Sequence, residues 1–392
     1  MKNTFCYVHI PFCTSKCKYC RFASFGNIEF LKINAYVDKL INEIQRSSYC
    51  VKNNTLKSIY FGGGTPSILS TKHLKNIIKS INEKYIFDKN IEINIEATPI
   101  TVTKENIKSR IEIGINRISI GVQSLNRDTL KEIGRGEKGD IIQALDNIND
   151  RFLPFTKGVP EVGGGGILNI SVDFIIGLPH VKKGEIKKDI EYILDNYDFV
   201  NHISVYMLEE YYEQSAVSNE DGLLDSKFQN IVYPNNWMNL GINEDDYLGE
   251  YIEIKEYLKT RGFISYEISN FAKLGYECKH NNSYWNHSNV VGYGLGAHSL
   301  VNNVRFSNSE EFLGYYIGEK QDYEILNNND IFIEKIMFGL RTSGLEKYIY
   351  EKLEYDKLLQ FVNDGLLYLE DDVFKLTDRG VMLLDYILRE LI

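Results

Sequence analysis

The sequence predicts an α/β fold built on a parallel sheet, and three observations predict it. Six short apolar segments of β character recur through the first 208 residues, at 5-10, 56-61, 91-97, 115-120, 168-176 and 202-208. Between them, the stretches 31-49, 71-83, 103-112, 127-149 and 184-195 space Leu, Ile and Tyr among Lys, Glu and Asn at helical intervals. The chain of 392 residues, 43% hydrophobic, is long enough to bury a large core. Strands alternating with helices favour a parallel sheet, open or curved into an incomplete barrel, over an all-β sandwich.

Element by element, FCYVHI, LKSIYF, IEINIEA, INRISI, LNISVDFII and HISVYML each place β-branched and aromatic residues in a run short enough for one strand. The tract TKGVPEVGGGGI at 156-167 breaks the pattern. Its glycines precede a strand instead of opening a helix, so it reads as a connector and no phosphate cradle. Beyond about residue 210 the repeat stops in a polar stretch, 213-247, before a helix at 249-260 and the aromatic run 262-272. Helices at 328-338 and 353-364, a hairpin through 365-377 and a helix at 378-391 capped by Asp378 complete the chain. That order suggests a winged-helix-like unit at 328-392, after a barrel region at 1-212 and an accessory region at 213-327.

Charge narrows the function. Lys and Arg number 44 against 54 Asp and Glu, a net charge of −10, which disfavours a nucleic-acid-coating role. The acidic C-terminal unit, without a basic stripe, is expected to serve as structure or lid. No run of 18 apolar residues marks a membrane span, and the N-terminus lacks a signal-like apolar core, so a reducing cytoplasm is the expectation.

The six cysteines lie at 6, 13, 17, 20, 50 and 278, too few and too crowded at one end for a disulfide framework. Cys13, Cys17 and Cys20 form a CxxxCxxC pattern whose thiolates suit a soft metal centre. A zinc site wants a fourth ligand that the pattern does not supply. A cubane iron-sulfur cluster held by three thiolates leaves one iron open to a small molecule.

With Tyr7-x-His9-Ile-Pro-Phe-Cys13 ahead of it and Gly62-Gly63-Gly64-Thr65-Pro66 after the next strand, this motif resembles the radical S-adenosylmethionine superfamily, in its coproporphyrinogen III dehydrogenase-like branch. The resemblance implies a partial (β/α)6 barrel, a 4Fe-4S cluster on the three cysteines and S-adenosyl-L-methionine on the open iron. Glycines at a strand's end let backbone approach a ligand closely. The resemblance gives Gly63, Gly64 and Thr65 to the methionine portion and puts Tyr7 beside the cluster or cosubstrate.

A carboxylate inside an apolar strand is costly unless paired, which singles out Glu96 and Asp173. By resemblance these two, with Gln123 and Arg135, contact the cosubstrate, whereas Arg127, Asp128 and His73 are expected at the surface. No catalytic side chain is singled out.

Within the branch, porphyrinogen-oxidising enzymes place a fourth cysteine where this chain has Phe22. The segment His280-Asn281-Asn282-Ser283-Tyr284-Trp285 matches the HNxxYW motif of the heme-chaperone group. An imidazole beside two large aromatics suits heme as axial ligand and packing surface. His287 and His298 are weaker candidates, and Cys278 is expected to be a buried thiol. Three places depart from the branch: Gly136-Glu137-Lys138 lacks an expected histidine, Gly177-Leu178-Pro179-His180-Val181 stands where relatives usually have GLPGQ, and the glycine tract at 158-166 is atypical.

The resemblance thus implies a heme chaperone passing heme to an acceptor such as a respiratory cytochrome. A reductant protein is a second partner, nucleic acid is not one, and a membrane acceptor would bring only peripheral membrane contact. The alternative is an oxygen-independent coproporphyrinogen III dehydrogenase working through a 5′-deoxyadenosyl radical.

Overall fold

The computed structural model describes residues 3-26, 30-48, 55-136, 139-155, 168-208 and 244-392. The glycine tract at 156-167, Glu137 and Lys138, and residues 213-243 of the polar stretch lie outside the described residues.

All six expected strands form: β1 (Asn3–Ile10), β2 (Thr55–Gly63), β3 (Ile86–Ala97), β4 (Arg117–Gln123), β5 (Asn169–Ile176) and β6 (Val200–Met207). They pair in parallel in chain order. The connecting helices are α1 (Phe30–Arg46), α2 (Thr71–Asn82), α3 (Lys104–Glu112), α4 (Arg127–Glu132), α5 (Ile141–Phe155) and α6 (Glu185–Asn196). The single helix expected over 127-149 is therefore two, interrupted around Gly134 at φ +77° and Gly139 at φ +92°. Hydroxyls cap two of the helices: Ser70 accepts from the His73 amide and Thr103 from the Asn106 amide.

After α7 (Glu244–Thr260), the aromatic run folds as β7 (Phe263–Ser265) and β8 (Asn270–Lys273). Both extend the sheet antiparallel beyond β6. Helix α8 (Lys279–Trp285) follows, then β9 (Asn289–Tyr293), which pairs in parallel with the other side of β1. This seventh parallel strand has no counterpart in the six expected segments. Strands β10 (His298–Val301), β11 (Val304–Asn308) and β12 (Lys320–Ile325) continue antiparallel beyond it, with α9 (Phe312–Ile317) between β11 and β12. Among the described residues the result is one mixed twelve-stranded sheet, β12-β11-β10-β9-β1-β2-β3-β4-β5-β6-β8-β7, consistent with a partial barrel.

The parallel strands alternate with period two. Cys6, Val8, Ile59, Phe61, Ile93, Ile95, Ile118, Ile120, Val172, Phe174, Ile203 and Val205 are buried in the main core. The intervening positions, Tyr7, Ser58, Tyr60, Asn94, Glu96, Arg117, Ser119, Ser171, Asp173, His202 and Ser204, share the opposite face by register. A buried parallel sheet is ordinarily apolar on both faces. Here one face is reserved for polar groups.

The C-terminal segment comprises α10 (Asn328–Arg341), α11 (Lys347–Tyr350), α12 (Tyr355–Asn363), a hairpin of β13 (Leu367–Glu370) and β14 (Val373–Leu376), then α13 (Asp378–Met382) and α14 (Leu384–Leu391). A second core, including Ile336, Leu340, Leu358, Phe361, Phe374 and Ile387, holds it together. The expected helix at 378-391 is split at Leu383, and its cap is Thr377, whose hydroxyl accepts from the Gly380 amide, not Asp378. Asp378 instead meets Lys255 of α7 at 2.6 Å. Among the described residues no helix is long and apolar enough to cross a membrane.

Candidate functional site

The site begins where β1 ends. Residues Phe12 and Cys13 pair in parallel with Phe25 and Gly26, closing the cysteine loop into a narrow-necked excursion. The Phe25 amide donates to the Pro11 carbonyl at 2.7 Å across the neck. Phe312 of α9 packs on Phe25 with ring centroids 4.8 Å apart.

Each of the three sulfurs has a polar neighbour. Thr65 Oγ1 donates to Cys13 Sγ at 3.4 Å, Arg135 Nη1 to Cys17 Sγ at 3.8 Å, and Cys20 Sγ lies 3.9 Å from Ser24 Oγ. Cys13 and Cys17 are buried and Cys20 half-buried. Burial raises the Cys20 pKa, and the neighbouring Cys17 and Cys13 thiols add to the rise. Among the described residues no three His, Cys, Asp or Glu side chains are already disposed to hold a metal ion. The donor set itself fits thiolate ligation: three cysteines on one loop, each beside a donor able to stabilise sulfur charge.

The GGGTP turn lies against this loop. Gly64 and Thr65 amides donate to the Ile10 and Phe12 carbonyls, both at 2.8 Å. A Cβ on Gly64 would stand 2.7 Å from the Phe12 carbonyl oxygen and 3.0 Å from Cys13 Sγ. Gly63, at φ +109°, has its Cβ space filled by the His9 ring, as near as 2.5 Å. His9 Nε2 faces the Ala23 carbonyl at 2.8 Å, and its Nδ1 is 3.1 Å from the Tyr7 hydroxyl. Since a carbonyl only accepts, Nε2 carries the proton and Nδ1 accepts from Tyr7. Burial holds His9 neutral, lowering its pKa to about 4. His9 thus clasps the far end of the cysteine loop to β1, a role its position in the motif did not disclose.

The carboxylates lie on the polar face. Glu96 accepts from Tyr60 Oη at 2.9 Å and from the Gly63 amide at 3.1 Å. Burial pushes its pKa up to about 7, with Asp173 adding to the rise. Asp173 accepts from Ser119 at 2.8 Å and Ser171 at 3.2 Å, and burial raises its pKa too. Gln123 is buried at φ +69°, a strained conformation for a side chain with a Cβ. Arg135 reaches across from the segment after α4, donating Nη2 to the Gly121 carbonyl at 2.6 Å and Nη1 to Tyr19 Oη at 3.2 Å. It ties the cysteine loop to β4. Thus Cys13, Gly63, Gly64, Thr65, Glu96 and Tyr7 form one connected group, and Cys17, Arg135, Gly121 and Gln123 another beside it.

His280 stands deeper on the same face. It is 1% exposed, with Nδ1 2.8 Å from Ser58 Oγ and Nε2 3.0 Å from Tyr284 Oη. Its ring stacks on Tyr60 at 5.0 Å, and burial drives its pKa down to about 3. Cys278 is a buried thiol donating to Glu92 at 3.5 Å, while burial raises its pKa to about 12. Of the weaker candidates, His287 meets Glu334 at 2.6 Å and His298 is exposed. Arg127 and Asp128 are exposed, as expected; His73 is only half-buried and bonds Asn34 at 2.8 Å.

Comparison with known proteins places this geometry. The Radical SAM superfamily model matches residues 7-193. A heme chaperone HemW of Buchnera aphidicola subsp. Schizaphis graminum is 30% identical, the match covering 98% of this chain and 96% of that one. This chain belongs to the radical SAM superfamily, in the HemW heme-chaperone family. The HemW of Bacillus subtilis is likewise 30% identical, over 96% of both chains, and that of Escherichia coli 26% identical over 97% of this chain and 96% of that one. Among solved structures, coproporphyrinogen III oxidase (HemN) from Escherichia coli, a radical SAM enzyme, superposes with a TM-score of 0.77 at 18% identity, covering 99% of this chain and 89% of that one. HemW-like sequence and HemN-like fold therefore coincide along nearly the whole chain.

Proposed function

We propose that this chain binds heme and hands it to an acceptor protein, and that it carries a 4Fe-4S cluster and S-adenosyl-L-methionine. Phe22 supports the reading most directly: an apolar ring, 62% exposed, follows a cluster motif that porphyrinogen-oxidising enzymes extend with a fourth cysteine. Cys13, Cys17 and Cys20 would hold the cluster. Tyr7, Gly63, Gly64, Thr65, Glu96, Gln123, Arg135 and Asp173 would line the cosubstrate site, where two carboxylates suit a cationic sulfonium and ammonium. Redox chemistry would come from the cluster and cosubstrate; the chain's own residues bind, orient and exclude water.

Heme would be held through His280, a neutral imidazole and so of the right form for an axial ligand. The proposal includes a cytoplasmic setting, a reductant protein, and a respiratory cytochrome as the type of acceptor, met without a membrane span of its own. It also takes 1-212 as the barrel, 213-327 as an accessory region and 328-392 as a winged-helix-like unit serving as structure or lid.

Anaerobic titration of hemin into the cluster-reconstituted protein tests the reading: a stoichiometric Soret band is expected, and none with an intact cluster rejects it. The intact cysteine loop and GGGTP turn are equally compatible with a coproporphyrinogen III dehydrogenase. Formation of protoporphyrinogen IX from coproporphyrinogen III, with reductant and cosubstrate, would favour that second reading.

A further inference from the structure

His280 meets two hydroxyls, one at each ring nitrogen, and they stand in different places. Ser58 comes from the middle of β2, fixed in the sheet and fully buried. Tyr284 comes from one turn further along α8, meets the His280 ring edge-on at 5.2 Å and 88°, and keeps 41% of its surface open. A phenol keeps its proton near neutral pH, so this hydroxyl can donate to the imidazole. Tyr206 of β6 likewise keeps 43% of its surface open.

We propose that Ser58 positions His280 with its proton on Nδ1, and that the Tyr284 hydroxyl occupies Nε2 as a displaceable stand-in for heme iron. The inference rests on the heme-binding reading above. Nδ1–H donates to Ser58 Oγ and Nε2 accepts from Tyr284, so the imidazole is oriented as a metal-binding histidine is by its outer hydrogen bond. Swinging the Tyr284 ring towards its open side uncovers Nε2 without moving β2 or the His280 backbone. Loading heme therefore costs one phenol–imidazole hydrogen bond.

The test titrates hemin anaerobically into the cluster-reconstituted full-length protein and its Tyr284→Phe, Ser58→Ala and His280→Ala variants, reading the Soret dissociation constant and the ferric-heme EPR spectrum. Tyr284→Phe should tighten binding about fivefold, the worth of one neutral hydrogen bond, with the spectrum unchanged. Ser58→Ala should alter the ferric spectrum, and His280→Ala should abolish its imidazole-ligated form. Equal or weaker binding by Tyr284→Phe, or an unaltered spectrum in His280→Ala, overturns the proposal while leaving heme binding standing. Failure of all four proteins to bind overturns both. Independently, 15N shifts of His280 without heme should place the proton on Nδ1; a proton on Nε2 overturns the orientation assigned to Ser58.

Discussion

Gly63 shows how closely a single atom controls the site. A methyl group there would enter the His9 ring and force an L-residue into φ +109°. Gly63→Ala should cost on the order of 2–4 kcal/mol in chemical denaturation and lower the iron retained after reconstitution. His180 presents the opposite situation: it is exposed at φ +66°, a backbone conformation that favours glycine. His180→Gly should stabilise the fold by about 1 kcal/mol, measured by the same denaturation. Glu96 makes a pH-dependent contribution. Its pKa is raised from 4.5 to about 7, so the stability it contributes is fully present below pH 4.5 and is lost as pH rises through 7. Glu96→Gln should flatten that part of the stability–pH curve, while Asp189 and Glu250, raised to about 6 and about 7, keep their slopes in both proteins. Glu96 and Asp173 were legible in the sequence because a carboxylate stands out in an apolar strand. Ser58, Ser119, Ser171 and His202 were not, since small polar residues in alternation read as an ordinary half-exposed strand.

At the scale of elements, the six β segments and the helices between them were legible because β-branched runs and helical spacing alternate, the glycine tract at 156-167 being the one break among them. β9 was not: NVVGY is only five residues long and follows a helix with no crossover spacing to announce a parallel partner. Its place beside β1 can be read only from three dimensions. The boundary at Asp378 was missed because Thr377 and Asp378 are both good capping residues and only backbone geometry chooses between them. The hairpin of β13 and β14 was read correctly and buries Phe374 completely, against Tyr350 at 5.0 Å and Tyr355 at 6.0 Å. Phe374→Ala should cost about 3–5 kcal/mol. Hydrogen exchange should then rise across 328-392 before it rises in the parallel strands, because the two segments have separate cores.

For the whole molecule, the sequence indicated a barrel-like first half but not how the second half completes it. Ion pairs from Lys255 to Asp378 and from Arg341 to Glu267 link the C-terminal segment to the sheet region, and α8 carries His280 onto the barrel's polar face. The sheet order has a further consequence, in the time dimension of biosynthesis. β1 is made first, yet one of its two edges is paired only by β9, which begins at residue 289. At about 5–20 residues per second, the ribosome leaves that edge bare for roughly 15–60 s after β1 emerges. During this interval Phe5, Val8 and the cysteine loop lie beside an open strand edge, the kind that recruits other chains. Nascent-chain folding should therefore finish late, and a release-arrested chain ending before residue 289 should aggregate where one extending past β12 does not.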